Sequence, residues 1–546
     1  MRLCVINCSL QKEFQSLGHT VLGLHPKPGI HDLPRLLEEH RFEPDVVIQQ
    51  ESLGPRVLLK GLGKVSGLKV FWSIDTHLNV FWQMEYVRLF DLVCSTQRNW
   101  SDSLQKLTNV PAFWLPWFGR RLSWKGWSQR QRAVCFVGRV TEHRPSRKRF
   151  VDFLRREFQM ELIQDVSFQQ MLEVYQETQL APNESIFGEI NFRLFEAASC
   201  GCLVLNPSGI PGLEETFAPD REIGVFSHAL ELKSKINHYS RNERLAEQTA
   251  KAAWARIQEE HLAIHRAQKL LETATQAPAR SSTLSEPPAL PWALTLYRLW
   301  QARRAPLGEE GLRHLLLDLP ESPRKREALL GFWLGTYQRG LVLHDLRALL
   351  QPDLPFENDL ALARTASLAA LHLGELALAK AFWMRHQKLS GRSPRPPLSP
   401  LDMYCSWAGT FQRQNLLSRP GLPFDHERHL PESALECLIL AHRLDSRNMT
   451  VCRSMDALLD KQPGFEPLRL SLLSHLTLHQ PGNWLAGLKL GLVNLQGFRL
   501  EEGLEELLLA ASRAEQHSET RKFNNALATA DPDGSIRAAL GIQPGA

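Results

Sequence analysis

The polar residues best spaced for ligand chemistry lie within residues 183–204, which read NESIFGEINFRLFEAASCGCLV. This pattern predicts a loop containing Gly188, a helix over about 190–199, and a buried strand after it. The unpaired N–H groups and the positive dipole end at the start of such a helix favour binding of a diphosphate.

Two charged residues occupy the predicted helix. Glu196 lies about one and a half turns from its start, where a carboxylate can accept hydrogen bonds from both ribose hydroxyls of a nucleotide. Arg193 lies three residues earlier on a neighbouring face and can meet a phosphate. The same spacing also fits an ordinary helix that buries its apolar face and leaves both charges in solvent.

A second candidate group follows another apolar run, residues 69–72. Asp75 and His77 come directly after it, and residues just past the carboxyl ends of strands face the ligand crevice of an open α/β sheet. Either side chain is therefore a candidate general base for a hydroxyl group. The alternative is that Asp75 caps a helix and that His77 packs in the core.

Metal ligation finds little support in the sequence. The Asp-X-Asp pattern occurs as Asp531-Pro532-Asp533, in the far C-terminal tail, where a turn is expected. His261 and His265 have helical spacing but lack a third ligand, so a helix that docks back on the first lobe, residues 1–125, is preferred to a zinc site. We predict no cofactor, no metal ligand and no obligatory divalent metal.

The elements that must position these residues form two α/β series. Short apolar runs at 3–6, 21–24, 45–48, 69–72 and 92–94 alternate with helical patterns, which indicates buried parallel strands. A second series of the same kind begins with the apolar run 133–137. We predict an α/β fold with one lobe over 1–125 and another over 126–275.

Strand patterns disappear in the C-terminal half. Residues 276–291, QAPARSSTLSEPPALP, predict a linker, and 292–546 predict an α-helical domain. Helical hairpins are expected at 361–388, turning at Gly374, and at 484–514, turning near Gly497-Phe498. The region resembles degenerate tetratricopeptide-type repeats, and an irregular helical bundle is the alternative.

Composition sets the remaining limits. The 546 residues are 43% hydrophobic and carry a formal net charge of +5, as in ordinary globular proteins. Nine cysteines without a CxxC motif, and the lack of a signal peptide or a long apolar segment, predict a cytoplasmic location. No long basic stripe interleaves with aromatic residues, so we expect no nucleic-acid partner.

The sequence also resembles a known family. The runs NFRLFEAASCGC, PGLEETF and EEHLAIHRAQKLL are similar to the C-terminal lobe of group 1 glycosyltransferases, and most similar to the CgeB-like, spore-maturation branch. The resemblance covers about 133–272, is looser over 1–125 and is absent beyond 290. It implies the GT-B fold, in which two Rossmann-like lobes bind a nucleotide-sugar donor in their cleft.

The resemblance also implies roles for individual residues. Glu196 would hold the donor ribose, and Asn191 and Arg193 would line the donor site. Residues 209–212, GIPG, would form a loop near the diphosphate or the sugar, which adds Gly209 and Gly212 to Gly188 as donor-site glycines.

Arg139 follows the first strand of the second lobe, where basic residues of this family approach the diphosphate. With Arg144, Arg147 and Lys148 it forms a dense basic group that would offset charge on the leaving nucleotide. A solvated basic loop is the alternative.

One departure from the family pattern concerns the first of two glutamates. Many retaining members carry a pair of glutamates, and the position matching the first is Gly188 here, with Glu189 adjacent but out of register. The departure leaves open whether the reaction retains or inverts the configuration of the sugar.

The expected function is that of a hexosyltransferase-like enzyme, which moves a sugar from a nucleotide-diphosphate donor to a hydroxyl of a glycan or protein acceptor. The helical region would recruit the acceptor or a protein partner. Two alternatives remain, a sugar-nucleotide epimerase of the same fold and a non-catalytic scaffold.

Overall fold

The computed structural model describes residues 1–142, 144–277, 287–351, 356–392, 395–460 and 462–542. Within these ranges, two large parallel sheets and one two-stranded sheet come first in the chain, and every element after Phe226 is a helix. The predicted class, two α/β regions followed by an all-helical region, is confirmed.

The first α/β region contains a six-stranded sheet in the order β2-β1-β4-β6-β7-β8, in which all neighbours pair in parallel. Two further strands, β3 and β5, pair with each other separately. Strands β4 and β7 are buried along their whole length, as expected when helices cover both faces. In chain order the elements are β1 (Arg2–Ile6), α1 (Gln11–Ser16), β2 (Thr20–Leu24), β3 (Gly29–Asp32), α2 (Leu33–Glu39), β4 (Val46–Gln50), β5 (Val57–Lys60), β6 (Leu68–Ser73), α3 (Thr76–Tyr86), β7 (Leu92–Ser95), α4 (Arg98–Thr108) and β8 (Ala112–Trp114).

The second α/β region contains a five-stranded parallel sheet in the order β10-β9-β11-β12-β13. Its elements are β9 (Arg132–Val137), α5 (Pro145–Phe158), β10 (Glu161–Ile163), α6 (Phe168–Gln176), β11 (Thr178–Pro182), α7 (Phe192–Ser199), β12 (Leu203–Pro207), α8 (Leu213–Thr216), β13 (Gly224–Phe226), α9 (Ala229–Arg241), α10 (Glu243–Glu260) and α11 (Ala263–Gln276). No strand is predicted at 178–182, yet β11 is the middle strand of this sheet. Its three apolar residues, ended by Pro182, are too short a run to identify it.

Helices alone make up the rest of the described chain. They are α12 (Ala289–Gln301), α13 (Glu309–Leu317), α14 (Pro323–Gly335), α15 (Arg339–Ala348), α16 (Leu360–His372), α17 (Leu376–Leu389), α18 (Pro400–Arg413), α19 (Ala434–Leu444), α20 (Met449–Leu459), α21 (Glu466–His479), α22 (Trp484–Gln496), α23 (Leu500–Gln516), α24 (Thr520–Ala530) and α25 (Ser535–Ala539). Both expected hairpins are present, as α16–α17 and α22–α23. Gly374 takes the left-handed conformation in the first turn (φ +80°), whereas Phe498 takes it in the second (φ +60°). The predicted linker, 276–291, falls mainly on residues outside the described ranges.

The chain folds into two compact units, each built from separate stretches. Unit 1 contains Met1–Ser95, Trp100–Trp114 and Thr273–Met455, and unit 2 contains Thr96–Asn99, Leu115–Glu272 and Asp456–Ala546. The helices are therefore shared between the units, and the division falls within α20, between Met455 and Asp456. A single helical domain over 292–546, built from repeats, stays a prediction.

In unit 1, α12 packs along α3 of the first sheet. Arg324, in α14, forms an ion pair with Glu85 at the end of α3. The carboxylate of Glu85 is 6% exposed, so the pair is shielded from solvent and screened less than a surface pair.

In unit 2, the turn between α22 and α23 packs on the second sheet region. The Phe498 ring lies 4.9 Å from that of Phe150 and 5.6 Å from that of Phe153. Beside this contact, Glu466 pairs with Arg149 at 2.8 Å and with Arg499 at 2.9 Å. Among the described residues, no helix has both the length and the apolar composition required to cross a bilayer.

Candidate functional site

The predicted donor-site residues all follow strands of the second sheet. Arg139 follows β9, the loop containing Gly188 follows β11, and Gly209 follows β12. Because these strands are parallel, their carboxyl ends lie at one edge of the sheet, which is where open α/β sheets bind ligands.

Arg193 is fixed at this edge by backbone and side-chain contacts. Its Nε donates to the carbonyl oxygen of Val137, the last residue of β9, at 3.0 Å, and its Nη1 donates to Oδ1 of Asn183 at 2.7 Å. The guanidinium also lies 4.4 Å from the ring centroid of Phe136. A Cβ atom at Gly138 would lie only 2.9 Å from Nη2, so a side chain there would displace the guanidinium from this position.

Asn191 caps the helix that carries Glu196. Its Oδ1 accepts a hydrogen bond from the Leu194 N–H, and its Nδ2 donates to the carbonyl oxygen of Glu184 at 2.7 Å. Asn183 Nδ2 in turn donates to Asn206 Oδ1 at 2.7 Å. These amides join the ends of β11 and β12 to the start of α7, so Asn191 and Arg193 are held in one hydrogen-bonded network.

Glu196 differs from its neighbours because nothing in the described chain satisfies its carboxylate. The side chain is half-buried, and among the described residues it makes no hydrogen bond and no ion pair. Burial raises the pKa of Glu196, while the charges of Arg193 and Arg120 act in the opposite direction. An unpaired, half-buried carboxylate near two cations is an acceptor ready for hydroxyl donors.

The loop before α7 is closely packed. Gly188 has φ +69°, and a Cβ atom there would lie 3.0 Å from Cγ of Pro463. The side-chain amide of Gln97 makes two hydrogen bonds to Ile190 at the end of the loop. Its Oε1 accepts from the Ile190 N–H at 2.9 Å, and its Nε2 donates to the Ile190 carbonyl oxygen at 3.0 Å. The loop conformation is therefore set by residues distant in the sequence.

Glu189, the glutamate next to the departure from the family pattern, has a local role. Its Oε2 accepts from the Ser185 hydroxyl and from the Phe187 N–H, both at 2.8 Å. The carboxylate thus closes its own loop.

Arg139 is not tied into this network through its side chain. It forms an ion pair with Asp165 at 2.9 Å in which both side chains are about 70% exposed. Arg147 instead pairs with the buried Glu184 and donates to the Arg139 carbonyl oxygen at 3.1 Å. Within the basic group, Arg147 is therefore anchored by a buried ion pair, whereas Arg139, Arg144 and Lys148 are exposed to solvent.

The glycines after β12 differ in their surroundings. Gly209 has φ +71°, and no atom would lie within 4 Å of a Cβ placed there, so the loop is open at this point. Gly212 has φ +86° and occupies the N-cap position of α8. A diphosphate-binding role for either glycine stays a prediction.

The first sheet carries the other candidate group, at the carboxyl ends of β4 and β6. Asp75 occupies the N-cap position of α3, but its side chain makes no capping hydrogen bond. It lines a cavity of about 690 Å³. His77 is buried, and burial lowers the pKa of its imidazole while Asp75 opposes that shift. The geometry thus brings Asp75, but not His77, to the cavity wall.

Glu51 is a residue that the sequence analysis does not single out. It directly follows β4 and is buried, and its Oε2 accepts from the N–H groups of Ile74 at 2.7 Å and Asp75 at 2.9 Å. Burial first, and then the charge of Asp75, raise the pKa of Glu51 to about 7. The sequence does contain a signal for Glu51, because the polar run Gln49-Gln50-Glu51 ends an apolar strand. Asp75 is identified by the same feature, a polar residue just past an apolar strand.

The histidines considered for zinc have other partners. His261 Nδ1 accepts from Nη2 of Arg266 at 2.7 Å, and its Nε2 lies 3.0 Å from the Thr216 carbonyl oxygen. Arg266 Nε donates to the Pro116 carbonyl oxygen at 2.8 Å. These contacts dock the start of α11 at Pro116, which lies in the predicted first lobe, and at Thr216, which lies in the predicted second lobe.

Comparison with known proteins gives one sequence match and several structural ones. Residues 115–272 match the model of a family described as glycosyl transferase-like. No sequence among curated proteins matches the chain.

Solved structures align with about half of the chain. A sucrose-phosphate synthase from Thermosynechococcus elongatus covers 51% of this chain and 100% of its own, at 11% identity and a TM-score of 0.37. A glycosyltransferase from Rickettsia africae covers 51% and 99%, at 13% identity and a TM-score of 0.38. Anabaena HepE in complex with UDP and glucose covers 50% and 100%, at 12% identity and a TM-score of 0.35.

The family match begins at the first residue of the main stretch of unit 2 and ends at its last. It includes every predicted donor-site residue. The predicted glycosyltransferase domain is confirmed by this match, and residues 115–272 are similar to the glycosyl transferase-like family.

Proposed function

We propose that the protein is a glycosyltransferase whose unit 2 binds a nucleotide-sugar donor and whose unit 1 binds the acceptor. The observation that carries this proposal is the unsatisfied carboxylate of Glu196, about one and a half helix turns beyond an asparagine-capped N-terminus at the carboxyl edge of a parallel sheet. A ribose offers two adjacent hydroxyl donors, which suit one carboxylate.

In the proposed reaction, the bond between the anomeric carbon and the diphosphate oxygen breaks, and the nucleotide diphosphate leaves with the electron pair. A bond forms between the anomeric carbon and the acceptor oxygen, whose proton passes to Asp75. Arg193, and Arg139 if its exposed side chain turns from Asp165, would offset the charge on the departing diphosphate.

Finer assignments belong to the same proposal. Transfer of a hexose and membership of the CgeB-like branch are supported by the motif at 191–202. Recruitment of a protein partner by the helices is supported by their repeated hairpins. A reducing compartment is supported by the nine cysteines, all of them free thiols and eight of them buried.

The test is calorimetric titration of the full chain with UDP and with 2′-deoxy-UDP, and with the corresponding guanosine pair. The wild type should bind the ribonucleotide about 10-fold more tightly, because a hydrogen bond to a charged group contributes roughly 1.5–3 kcal/mol. Glu196→Ala should weaken ribonucleotide binding by about 10- to 100-fold and remove the preference for the 2′-hydroxyl.

Glu173→Ala is the matched control, since Glu173 is an exposed glutamate in a neighbouring helix of the same unit. It should bind both nucleotides as the wild type does. A wild-type chain that releases no heat with any nucleotide would refute the donor site and favour a scaffold. A 2′-hydroxyl preference that survives Glu196→Ala would refute the role of Glu196.

A further inference from the structure

The cavity beside Asp75 lies wholly within unit 1 and has two kinds of wall. One wall consists of the loops after β4 and β6, and the other comes from the helical region through Leu299, Arg304 and Gly421. Its volume of about 690 Å³ is within the range of roughly 300–1,000 Å³ that holds small ligands.

Arg56, on the sheet-side wall, is held in place before any ligand binds. Its Nη2 donates to Asn79 Oδ1 at 2.6 Å, and its guanidinium lies 5.2 Å from the ring centroid of Trp82. Asn79 Oδ1 also accepts from the Trp82 indole at 3.0 Å. The Arg56 guanidinium is therefore oriented by neutral groups and keeps its full positive charge for another partner.

Arg304, on the helical wall, is positioned by the end of α12. The N–H of Arg304 donates to the Leu299 carbonyl oxygen at 2.8 Å, and the preceding residue, Arg303, takes the left-handed conformation at φ +56°. Within the described ranges, the Arg304 guanidinium makes no hydrogen bond and no ion pair. The pKa of Arg56 is lowered first by burial and then by the charge of Arg304, while the charge of Glu51 acts in the opposite direction.

The cavity lining therefore has more positive than negative charge. Arg56 and Arg304 face one lining carboxylate, Asp75, and the remaining lining residues are neutral. Glu51 lies behind Asp75 but is not part of the wall, and its raised pKa keeps it partly protonated near neutral pH. Two guanidiniums without a bound anion repel each other, and an oxyanion placed between them would relieve that repulsion.

We propose that this cavity binds the sugar acceptor and that the acceptor carries an oxyanion, a carboxylate or a phosphate, which Arg56 and Arg304 hold. The identity of the ligand as the sugar acceptor rests on the proposed function. The expectation that the ligand is an anion rests on the cavity alone.

The test measures binding of small saccharides to the full chain by ligand-observed NMR. Glucuronate and glucose 6-phosphate are each compared with glucose, which separates the carboxylate source from the phosphate source. We expect one of the two anionic sugars to bind at least 10-fold more tightly than glucose, with an affinity that falls as the salt concentration rises.

Arg304→Gln should remove most of this preference. Arg303→Gln is the matched control, because it removes an equal charge from the adjacent residue. The Arg303 side chain is 70% exposed and is paired with Asp425. It should keep the wild-type preference. Arg56→Gln should act as Arg304→Gln does, and since Arg56 is half-buried, the exposed Arg304 provides the decisive variant if Arg56→Gln fails to fold.

Equal affinity for glucose and for both anionic sugars would overturn the inference, and so would an equal effect of the Arg303 and Arg304 variants. Nucleotide titration of the same preparations separates this outcome from failure of the proposed function. Nucleotide binding without a preference for anionic sugars refutes the inference alone. An Arg304-dependent preference without nucleotide binding refutes the transferase proposal and leaves the anion site in place.

Discussion

At the scale of single residues, the carboxylates of Asp75 and Glu51, at the carboxyl edge of the first sheet, have different roles. Asp75 lies on the cavity wall, whereas Glu51 lies behind it and accepts the N–H groups of Ile74 and Asp75. Glu51 is therefore a positioning residue, which orients the backbone that carries Asp75. Two neighbouring carboxylates in a buried place cannot both ionise freely, and the pKa of the more buried one is raised.

This arrangement predicts a pH-dependent stability. The pKa of Glu51 is about 7 in the folded chain and about 4.3 in an unfolded chain. Between these values the folded state binds more protons, so the free energy of unfolding falls as the pH rises through this window. Relative to Glu51→Gln, the wild type should lose on the order of 2–3 kcal/mol between pH 4.5 and 7.5.

Apparent Tm values of both proteins, measured across this pH range, provide the comparison. The difference between them should change by several degrees in favour of the variant as the pH rises. Glu39→Gln, at a half-exposed surface ion pair, should follow the wild-type curve. Parallel curves for the wild type and Glu51→Gln would show that Glu51 does not titrate in this window.

At the scale of elements, turns of the helical region bring distant stretches together. Gly421, between α18 and α19, has φ +80°, and a Cβ atom there would lie 2.1 Å from the carbonyl oxygen of Leu78. The contact is between two backbones, so no side-chain rotation can relieve it. Gly374, in the turn of the α16–α17 hairpin, has the same φ but no atom within 4 Å of a Cβ.

The two glycines form a matched pair for mutation. Gly374→Ala should cost only the left-handed strain of a side chain, about 1–2 kcal/mol. Gly421→Ala adds a backbone clash to the same strain and should cost at least about 3 kcal/mol. The apparent Tm should therefore fall further for Gly421→Ala, and equal falls would contradict the close approach of Gly421 to Leu78.

At the scale of the whole molecule, each compact unit combines one sheet with helices from the C-terminal half. In unit 2 the connecting residue is Phe498, which packs against Phe150, Phe153 and Phe226. The ion pairs of Glu466 with Arg149 and Arg499 surround this contact. The last helices are thus part of the core that supports the candidate donor site.

Phe498→Ala should therefore destabilise unit 2, which carries the candidate donor site. Loss of a partly buried aromatic ring is expected to cost about 2–3 kcal/mol. Proteolysis should cleave the variant within unit 2 faster than the wild type, and a saturating nucleotide should slow that cleavage. Leu508→Ala, at a side chain that is 53% exposed in α23, is the control and should be cleaved at the wild-type rate.

The local pattern of residues was sufficient for several features. Apolar runs predicted β1, β4 and β6, because a strand buried on both faces needs a continuous apolar sequence. The loop, helix and strand around Glu196 were also predictable, since the helix period and the flanking glycines act over a few residues. The fold class and the candidate donor residues follow from these features.

Only the tertiary structure decided which separate stretches share a core and a cavity. β11 is a strand because β9 and β12 enclose it, since its own sequence is too short a signal. Glu51 and Arg304 lie far apart in the sequence, and their roles depend on burial and on a neighbouring charge, which no local pattern encodes. Long-range packing fixes both properties, and for that reason the cavity beside Asp75 and the division into two units emerged only from the structure.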